Sequence, residues 1–521
     1  MGFVKPSITK ARQIIVRVST PTGKPVPIEI IEESLYEIRS KIHPRSVTGL
    51  FARWRLILVV VTQVLFYGLP WLNWNGRQAV LFDLVHRKFY IFGLVLWPQD
   101  IIYLTLLLII SALSLFLFTA IAGRLFCGYA CPQTVYTEIF MWVEKKVEGD
   151  RFARLHLDQD KWPWSLRKFR LKITKHVIWL LIAFVTGFTF IGYFTSIHTL
   201  TERLVHLALG PWQTFWLCFY GFATWGNAGL MREQVCKYMC PYARFQSVMV
   251  DKETLVVTYD KVRGEPRGSR NKSDDHIAKG LGDCVNCHIC VQVCPTGIDI
   301  REGLQYMCIG CGACIDACNQ VMTKVDYPKG LIRYTSERAM EEQQTSLDFV
   351  HLFFRPRILI YTAILGILIA VFLFSIVTRN PLRIDVMRDR GPLAREVDGD
   401  SIENIYRIQM MNSSEHSMDL ILQVKGLEHL VILDSQGNEL RHLHIEPSSN
   451  QLLPIKVRTS MATAQTGNYP IVFEVEEHQD FDHKVILRNG QERSTFIIPH
   501  ELIHPGEDEH EKEHGKEHAH D

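Results

Sequence analysis

The sequence predicts a multidomain membrane protein built from three kinds of structure. These are an α-helical bundle of five transmembrane helices, a cytoplasmic dicluster ferredoxin-like module with two [4Fe–4S] clusters, and a C-terminal all-β immunoglobulin-like sandwich. Three observations lead to this fold class. Apolar residues concentrate in five blocks, twelve of the 13 cysteines fall into four ordered groups, and the last part of the chain alternates apolar and polar residues as β-strands do.

The five apolar blocks each approach the roughly 20 residues that cross a bilayer. They are Arg55–Asn73, Ile101–Gly123, His176–Ile197, Leu207–Leu230 and Arg357–Val377. The fourth block is the weakest, because Gly210-Pro211 interrupts it and Gln213 lies within it. We expect no cleavable signal peptide, because the first forty residues lack an apolar core.

The distribution of basic residues predicts the orientation of these helices. The segment Arg124–Lys175 contains eleven Lys and Arg, whereas Asn73–Asp100 contains three. Because Lys and Arg accumulate in cytoplasmic loops, the N-terminus, Arg124–Lys175 and Met231–Pro356 are expected inside, and the chain after Ser375 outside. All clustered cysteines then lie in the reducing compartment, which favours metal or redox chemistry over disulfides.

The same patterns divide the chain into six parts. They are a cytoplasmic N-terminal arm (1–54), a membrane domain with four helices (55–250), a cytoplasmic connector and ferredoxin module (251–356, core 281–320), a fifth transmembrane helix (357–377), an outer β-sandwich (380–504) and a disordered acidic tail rich in histidine (505–521). The tail could bind a divalent metal or have no defined role. A net charge of +2 indicates no nucleic-acid partner.

Short runs with β-type alternation follow Arg379. They are Ile405–Met411, Leu420–Val424, Leu430–Leu433, Leu453–Val457, Tyr469–Val475, Val485–Leu487 and Ser494–Ile498. Turn residues separate them, and their number and spacing are typical of an immunoglobulin-like sandwich.

Eight cysteines form two runs of the ferredoxin type. The runs are Cys284-x-x-Cys287-x-x-Cys290-x-x-x-Cys294-Pro295 and Cys308-x-x-Cys311-x-x-Cys314-x-x-x-Cys318. In such runs the fourth cysteine ligates the other cluster. We therefore predict one cluster on Cys284, Cys287, Cys290 and Cys318, and a second on Cys308, Cys311, Cys314 and Cys294. Asn319 replaces the second expected proline, and zinc is an alternative that does not account for a run of eight.

Four further cysteines form two shorter motifs of the type C-x-x-x-C-P, each at the end of a pair of apolar blocks. The motifs are Cys127-Gly-Tyr-Ala-Cys131-Pro132 and Cys236-Lys-Tyr-Met-Cys240-Pro241. Because proline suits the first turn of a helix, we expect Cys131 and Cys240 at helix N-caps, where the dipole favours thiolate. Thiolates select soft metals, including Cu(I) and iron–sulfur clusters, so the four cysteines could hold one metal centre or form two redox disulfides, and small buried cysteines remain the alternative for either pair. The duplication predicts two repeats about a pseudo-twofold axis along the membrane normal.

These motifs together resemble the bacterial CcoG/FixG (RdxA) family. The resemblance rests on the two C-x-x-x-C-P segments with their flanks, the dicluster run, Tyr259-Asp260, Arg263-Gly-Glu-Pro-Arg267 and Gly330-Leu-Ile-Arg-Tyr334. It implies a multi-pass iron–sulfur protein of the bacterial cytoplasmic (inner) membrane that is required to assemble cbb3-type cytochrome c oxidase. It further implies an immunoglobulin-like domain in the periplasm.

The resemblance also implies an activity, the reduction of Cu(II) to Cu(I) on the cytoplasmic side by an oxidoreductase whose catalytic, copper-binding residues are Cys127, Cys131, Cys236 and Cys240. The expected partners are a cytoplasmic electron donor, a copper ion, oxidase subunits or a copper chaperone, and membrane lipid; a homodimer is an open alternative. Two other functions remain: an electron relay to quinone or another membrane redox partner, and an assembly scaffold without a redox substrate.

Overall fold

The structure is a computed structural model that describes residues 41–159, 165–270, 277–342, 353–389, 394–397, 401–460, 465–477 and 489–499. Everything below concerns the compact unit that begins at His43. Most of the N-terminal arm, the strand expected at Val485–Leu487 and the histidine-rich tail lie outside the described residues.

Helices dominate the first half of the chain. They are α1 (Leu50–Gly68), α2 (Ile101–Ala122), α3 (Leu125–Tyr129), α4 (Pro132–Glu148), α5 (Arg151–Gln159), α6 (Leu166–Gly192), α7 (Ile197–Val205), α8 (Pro211–Thr224) and α9 (Pro241–Met249). Helices α4, α8 and α9 each begin at a proline, which has no backbone N–H to leave unpaired in the first turn.

Four helices of the described chain are long and apolar enough to cross a membrane. With their short 3₁₀ extensions they are Leu50–Trp71, Pro98–Ala122, Leu166–Gly192 and Pro356–Val377. Four of the five predicted blocks therefore form helices of the expected kind, with bounds that shift by one residue in the last block and by up to ten at the start of the third.

The fourth block differs from the prediction of a regular transmembrane helix over Leu207–Leu230. Its α-helix α8 has only 14 residues, and the chain then widens into a π-helix over Trp225–Met231. Gly226 and Gly229 lie in this stretch. Because glycine has no Cβ, it allows the backbone to depart from the regular α-helical conformation. The block nevertheless packs along α6, with Gly187 against the backbone of Leu217.

The loop between α1 and α2 contains β-strands that the sequence analysis missed. They are β1 (Asn73–Trp74), β2 (Arg77–Gln78), β3 (Val80–Asp83), β4 (Lys88–Ile91) and β5 (Leu94–Leu96). Strands β3, β4 and β5 form an antiparallel meander. The loop is therefore a folded platform rather than a simple connection.

The ferredoxin-like module is small and follows α9. Its elements are β6 (Val256–Tyr259), α10 (Lys261–Gly264), α11 (Ile289–Gln292), α12 (Ala313–Val325), β7 (Ile332–Thr335) and α13 (Glu337–Glu341). Strands β6 and β7 pair antiparallel, and Val257 and Ile332 contribute to a core beneath the cysteine loops. Helix α14 (Pro356–Val377) then leads to the last domain.

The last domain is a two-sheet sandwich. Its strands are β8 (Leu382–Arg388), β9 (Arg395–Val397), β10 (Ser401–Asn412), β11 (Met418–Lys425), β12 (Val431–Leu433), β13 (His442–Ile445), β14 (Asn450–Ser460), β15 (Gly467–Glu477) and β16 (Asn489–Ile498). One sheet has the order β12-β14-β10-β8, with β9 added to β10, and the other has the order β13-β11-β15-β16. Inward residues such as Tyr406 and Phe473, whose ring centroids lie 5.2 Å apart, fill the space between the sheets.

The ferredoxin-like module and the sandwich lie at opposite ends of the long helices. At one end, Asp316 of α12 accepts hydrogen bonds from the backbone N–H groups of Phe51 (3.3 Å) and Ala52 (2.8 Å), and so caps α1. At the other end, Glu415 of the sandwich accepts hydrogen bonds from Trp74 (3.0 Å) and Arg77 (3.0 Å) of the platform. The helices therefore separate the cysteine-rich part of the chain from the β-domain.

Candidate functional site

Two neighbouring cavities in the ferredoxin-like module are lined by the two predicted ligand sets. One cavity is lined by Cys284, Cys287, Cys290 and Cys318. The other is lined by Cys294, Cys308, Cys311 and Cys314, and also by Cys290. Each fourth cysteine thus lines the cavity of the opposite run, as the predicted exchange of ligands requires. Four thiols around a largely apolar cavity are a donor set that suits a [4Fe–4S] cluster.

The two cysteine runs share one backbone conformation. Asn286 (φ 51°) and His288 (φ 55°) are left-handed in the first run, and Gly310 (φ 63°) and Gly312 (φ 71°) occupy the equivalent positions in the second. In each run the second of these residues caps the next helix, α11 or α12. Asparagine is among the non-glycine residues that adopt this conformation most readily. Both runs therefore turn in the same way around their cavities.

Asn319 has a structural role that explains the missing proline. Helix α12 continues past Cys318 to Val325, so a proline at position 319 would break a helix interior. The Asn319 side chain instead accepts a hydrogen bond of 2.9 Å from the backbone N–H of Gly330. This bond attaches the segment that leads into β7 to the helix that carries Cys318.

Burial raises the pKa of several thiols in this module. Burial raises the pKa of Cys290 to about 11 and the pKa values of Cys308 and Cys318 to about 12. A bound metal centre would replace these protons, because coordination stabilises the thiolate that burial disfavours. All 13 cysteines are free thiols in the structure.

The shorter motifs lie at helix starts, where the sequence predicted them. Cys131 is the N-cap of α4, and Cys240 is the N-cap of α9. The other cysteine of each motif is partly buried, and burial raises the pKa of Cys127 to about 12 and that of Cys236 to about 11. Each motif thus pairs one cysteine at a helix start with one in a desolvated position.

The structure brings the four cysteines of these motifs together. Negative charge on Cys131 or Cys236 would raise the pKa of Cys127, and negative charge on Cys131 or Cys240 would raise the pKa of Cys236, so each thiol lies within electrostatic range of at least one other. The thiol of Cys127 also lies 3.4 Å from Oε1 of Gln246, a fully buried residue on α9. Within the described residues, however, no three Cys, His, Asp or Glu side chains are grouped closely enough to hold a single metal ion.

The first short motif lies directly against the loop that carries Cys308, Cys311 and Cys314. The Tyr129 hydroxyl donates a hydrogen bond of 3.2 Å to the carbonyl oxygen of Cys311. Cys127 packs against the same small core as Cys311 and Ile309. The sequence analysis missed this contact, because neither motif contains any signal of its tertiary neighbour.

Gly128 is the position where this contact is closest. A Cβ atom there would lie 2.8 Å from the carbonyl oxygen of Ile309 and 3.0 Å from Cα of Cys311. We predict that Gly128→Ala destabilises the protein by about 1–3 kcal/mol, because two backbone segments would have to separate. Thermal unfolding in detergent measures the effect.

The matched control for that substitution is Gly366→Ala, since a Cβ at Gly366 meets nothing within 4 Å. Equal unfolding midpoints for the two variants would show that the first short motif does not pack tightly against the loop that carries Cys311.

A buried ionic network connects the two short motifs. Glu144 of α4 contacts Arg232 (2.7 Å), Arg154 (2.9 Å) and Lys175 (3.5 Å), and all four side chains are almost fully buried. Burial opposes the ionisation of Glu144, but the three cations more than offset it and lower its pKa to about 2. Because Cys131 is the N-cap of α4 and Arg232 precedes Cys236 by four residues, this network sets the relative position of the motifs.

Gln133 strengthens the same connection at the other end of α4. Its side-chain amide donates to the carbonyl oxygens of Asn227 (2.9 Å) and Arg232 (3.1 Å) in the segment before the second motif. The helix that follows the first motif therefore contacts the second repeat at both of its ends.

Three family models match the chain. One for a 4Fe-4S dicluster domain covers residues 231–337, one for a 4Fe-4S binding domain covers residues 104–148, and one for the Ig-like fold at the C-terminus of FixG covers residues 372–499. The second match includes Cys127 and Cys131, and the first includes Cys236 and Cys240 in addition to the eight ferredoxin-type cysteines.

Curated relatives match most of the chain. The nitrogen fixation protein FixG of Rhizobium meliloti (strain 1021) is 36% identical over 485 residues, which cover 85% of this chain and 92% of the relative. Protein RdxB of Cereibacter sphaeroides is 41% identical over 412 residues, with coverages of 77% and 85%. Protein RdxA of the same organism is 37% identical over 404 residues, with coverages of 76% and 84%.

Proposed function

The chain belongs to the FixG family of iron–sulfur proteins, and from this premise we propose that it reduces Cu(II) to Cu(I) with electrons from two [4Fe–4S] clusters. The observation that carries the proposal is the contact between the first short motif and the loop of the second cluster. Cys127 and Tyr129 reach the segment that contains Cys311, Cys131 and Cys236 lie within electrostatic range of Cys127, and Cys240 lies within electrostatic range of Cys236.

The ligands of the clusters would be the cysteines that line each cavity. Cys284, Cys287, Cys290 and Cys318 would hold one cluster, and Cys294, Cys308, Cys311 and Cys314 the other. When bound, each cluster supplies one-electron chemistry. Each electron released reduces one Cu(II) to Cu(I), so no proton or further reactant is needed.

The substrate ion would bind at Cys127, Cys131, Cys236 and Cys240. Thiolates favour Cu(I) over Cu(II), so a site of this composition stabilises the product of the reaction. The four thiols are free, and each lies within electrostatic range of at least one of the others.

The wider role would be the supply of Cu(I) for assembly of a cbb3-type oxidase. A cytoplasmic electron donor would reduce the clusters, and a copper chaperone or an oxidase subunit would receive the ion. The separation of the ferredoxin-like module from the sandwich supports an arrangement with the clusters in the cytoplasm and the sandwich in the periplasm.

A single-turnover experiment tests this function. The anaerobically purified protein, reduced with dithionite and then freed of it, is mixed with excess Cu(II) and a Cu(I)-specific chromogenic chelator. We expect about two Cu(I) per chain and the loss of the reduced-cluster EPR signal, because each cluster gives up one electron. Zn(II) is the control cation, since it cannot accept an electron.

Iron analysis of the same sample separates this role from a rival. The proposal requires about eight iron atoms per chain, four in each cluster. About twelve would instead indicate a third cluster on the short-motif cysteines and would exclude them as a copper site. Clusters that stay reduced in the presence of Cu(II) would also contradict the proposal.

A further inference from the structure

A groove lies beside the first turns of α1, where this helix meets α4 and the ferredoxin-like module. Its volume is about 470 Å³. The wall from α1 includes Arg53 and Leu56, and the wall from α4 includes Trp142 and Lys145. None of these residues belongs to the cysteine sites described above.

The groove contains more positive than negative charge. Arg45, Arg53, Arg55, Lys145 and Arg154 line it, against only Glu138 and Asp150. Arg55 is paired with Glu138 at 3.2 Å, Arg154 is paired with the buried Glu144, and Asp150 accepts hydrogen bonds from Ser46.

Three cations of the groove are therefore available to bind an anionic group. Arg45, Arg53 and Lys145 have exposed side chains and no carboxylate partner among the described residues. They lie on three separate segments that meet at the groove, so uncompensated positive charge is concentrated there. Such a cluster attracts an anionic group.

Each of the two walls also carries an exposed apolar side chain, Leu56 on α1 and Trp142 on α4. Leu56 is 62% exposed and Trp142 is 59% exposed. Both lie at the level where α1 begins its apolar span at Leu50. Tryptophan is enriched at this level of membrane proteins, where its ring contacts both headgroups and acyl chains.

We propose that this groove binds the headgroup of an anionic phospholipid. The phosphate would contact Arg45, Arg53 and Lys145, and an acyl chain would run along Leu56 and Trp142. A free phosphate ion would pair with the cations but would leave Leu56 and Trp142 exposed to water, so a lipid is the occupant that matches both the charged and the apolar side chains of the groove.

The lipid would also connect the membrane to the second cluster site. Val293 and Pro295, which flank Cys294, form part of the same groove. A bound headgroup would thus hold the ferredoxin-like module against α1, in addition to the cap that Asp316 provides. This inference does not depend on copper reduction and goes beyond it.

Native mass spectrometry of the full-length protein in detergent tests the proposal. Phosphatidylglycerol and phosphatidylcholine with the same acyl chains are titrated in parallel. The test variant is Arg53→Gln with Lys145→Gln, and the control is Arg167→Gln with Arg170→Gln, which removes two exposed cations from the start of α6. The absorbance of the iron–sulfur clusters confirms that each variant is folded.

We expect the wild type and the control to prefer phosphatidylglycerol, and the test variant to bind it about 25-fold more weakly, since each cation near an anionic lipid contributes about fivefold. Equal losses in the two variants would reveal general charge attraction and overturn the proposal. Unchanged binding by the test variant would overturn it as well. Displacement of the lipid by millimolar inorganic phosphate would show that the groove is a free-phosphate site instead.

Discussion

Replacing Cys127 and Cys131 by alanine is expected to abolish Cu(II) reduction while both [4Fe–4S] clusters remain. Neither residue lines either cluster cavity, so the substitutions remove two proposed copper ligands and no cluster ligand. Alanine also retains the Cβ contacts of Cys127 with the small core around Ile309. The measurement is Cu(I) formed per chain in a single turnover, together with iron per chain.

The control for this pair is Cys218→Ala, because Cys218 is exposed on α8 and belongs to neither motif. The pair Cys236→Ala and Cys240→Ala should match the first pair in its effect if all four cysteines form one site. Wild-type copper reduction by either double variant would exclude that motif from the reaction. A loss of iron in the Cys127 and Cys131 variant would instead assign these residues to a cluster.

Glu144→Gln is expected to destabilise the protein by about 3–5 kcal/mol, because removing one partner leaves buried charges uncompensated. Arg154 and Arg232 would then lie in a desolvated space without their carboxylate partner, whereas Lys175 would keep its second partner, Glu148, at 2.8 Å. Since Arg232 lies just before Cys236, copper reduction should fall together with stability. Thermal unfolding in detergent gives the first effect, and the single-turnover assay gives the second.

The control is Glu341→Gln, which breaks an exposed pair with Lys252 at 3.4 Å and should cost about 0–1 kcal/mol. The pH dependence offers a second check. The pKa of Glu144 is lowered from 4.5 to about 2, so its stabilising effect is complete above about pH 4.5 and is lost as the pH falls towards 2. Unfolding midpoints of Glu144→Gln and wild type should converge over that range. A constant difference down to pH 2 would contradict the role of this charge.

The cluster sites could be predicted from the sequence because their geometry is local. The spacing of the cysteines determines how the chain turns, and the structure shows the same left-handed positions in both runs. Asn319 is the exception, since the length of α12 decides whether proline is tolerated there.

The weaker predictions concern elements whose patterns are short or interrupted. Leu382–Arg388 and His442–Ile445 alternate apolar and polar residues, but charges and histidines obscured them as strands. The fourth helix depends on packing against α6, which compensates for its change to a π-helix. The hydropathy of the sequence does not reveal this packing.

The sequence by itself determined the family, the fold class, the iron–sulfur character and the helix starts at Cys131 and Cys240, because each of these follows from residue types at short spacing. Only the tertiary structure decided which groups meet. Tyr129 contacts Cys311 across 182 positions, and Asp316 caps α1 across 264. Contacts at such separations depend on the packing of whole elements, and no local spacing in the chain encodes them.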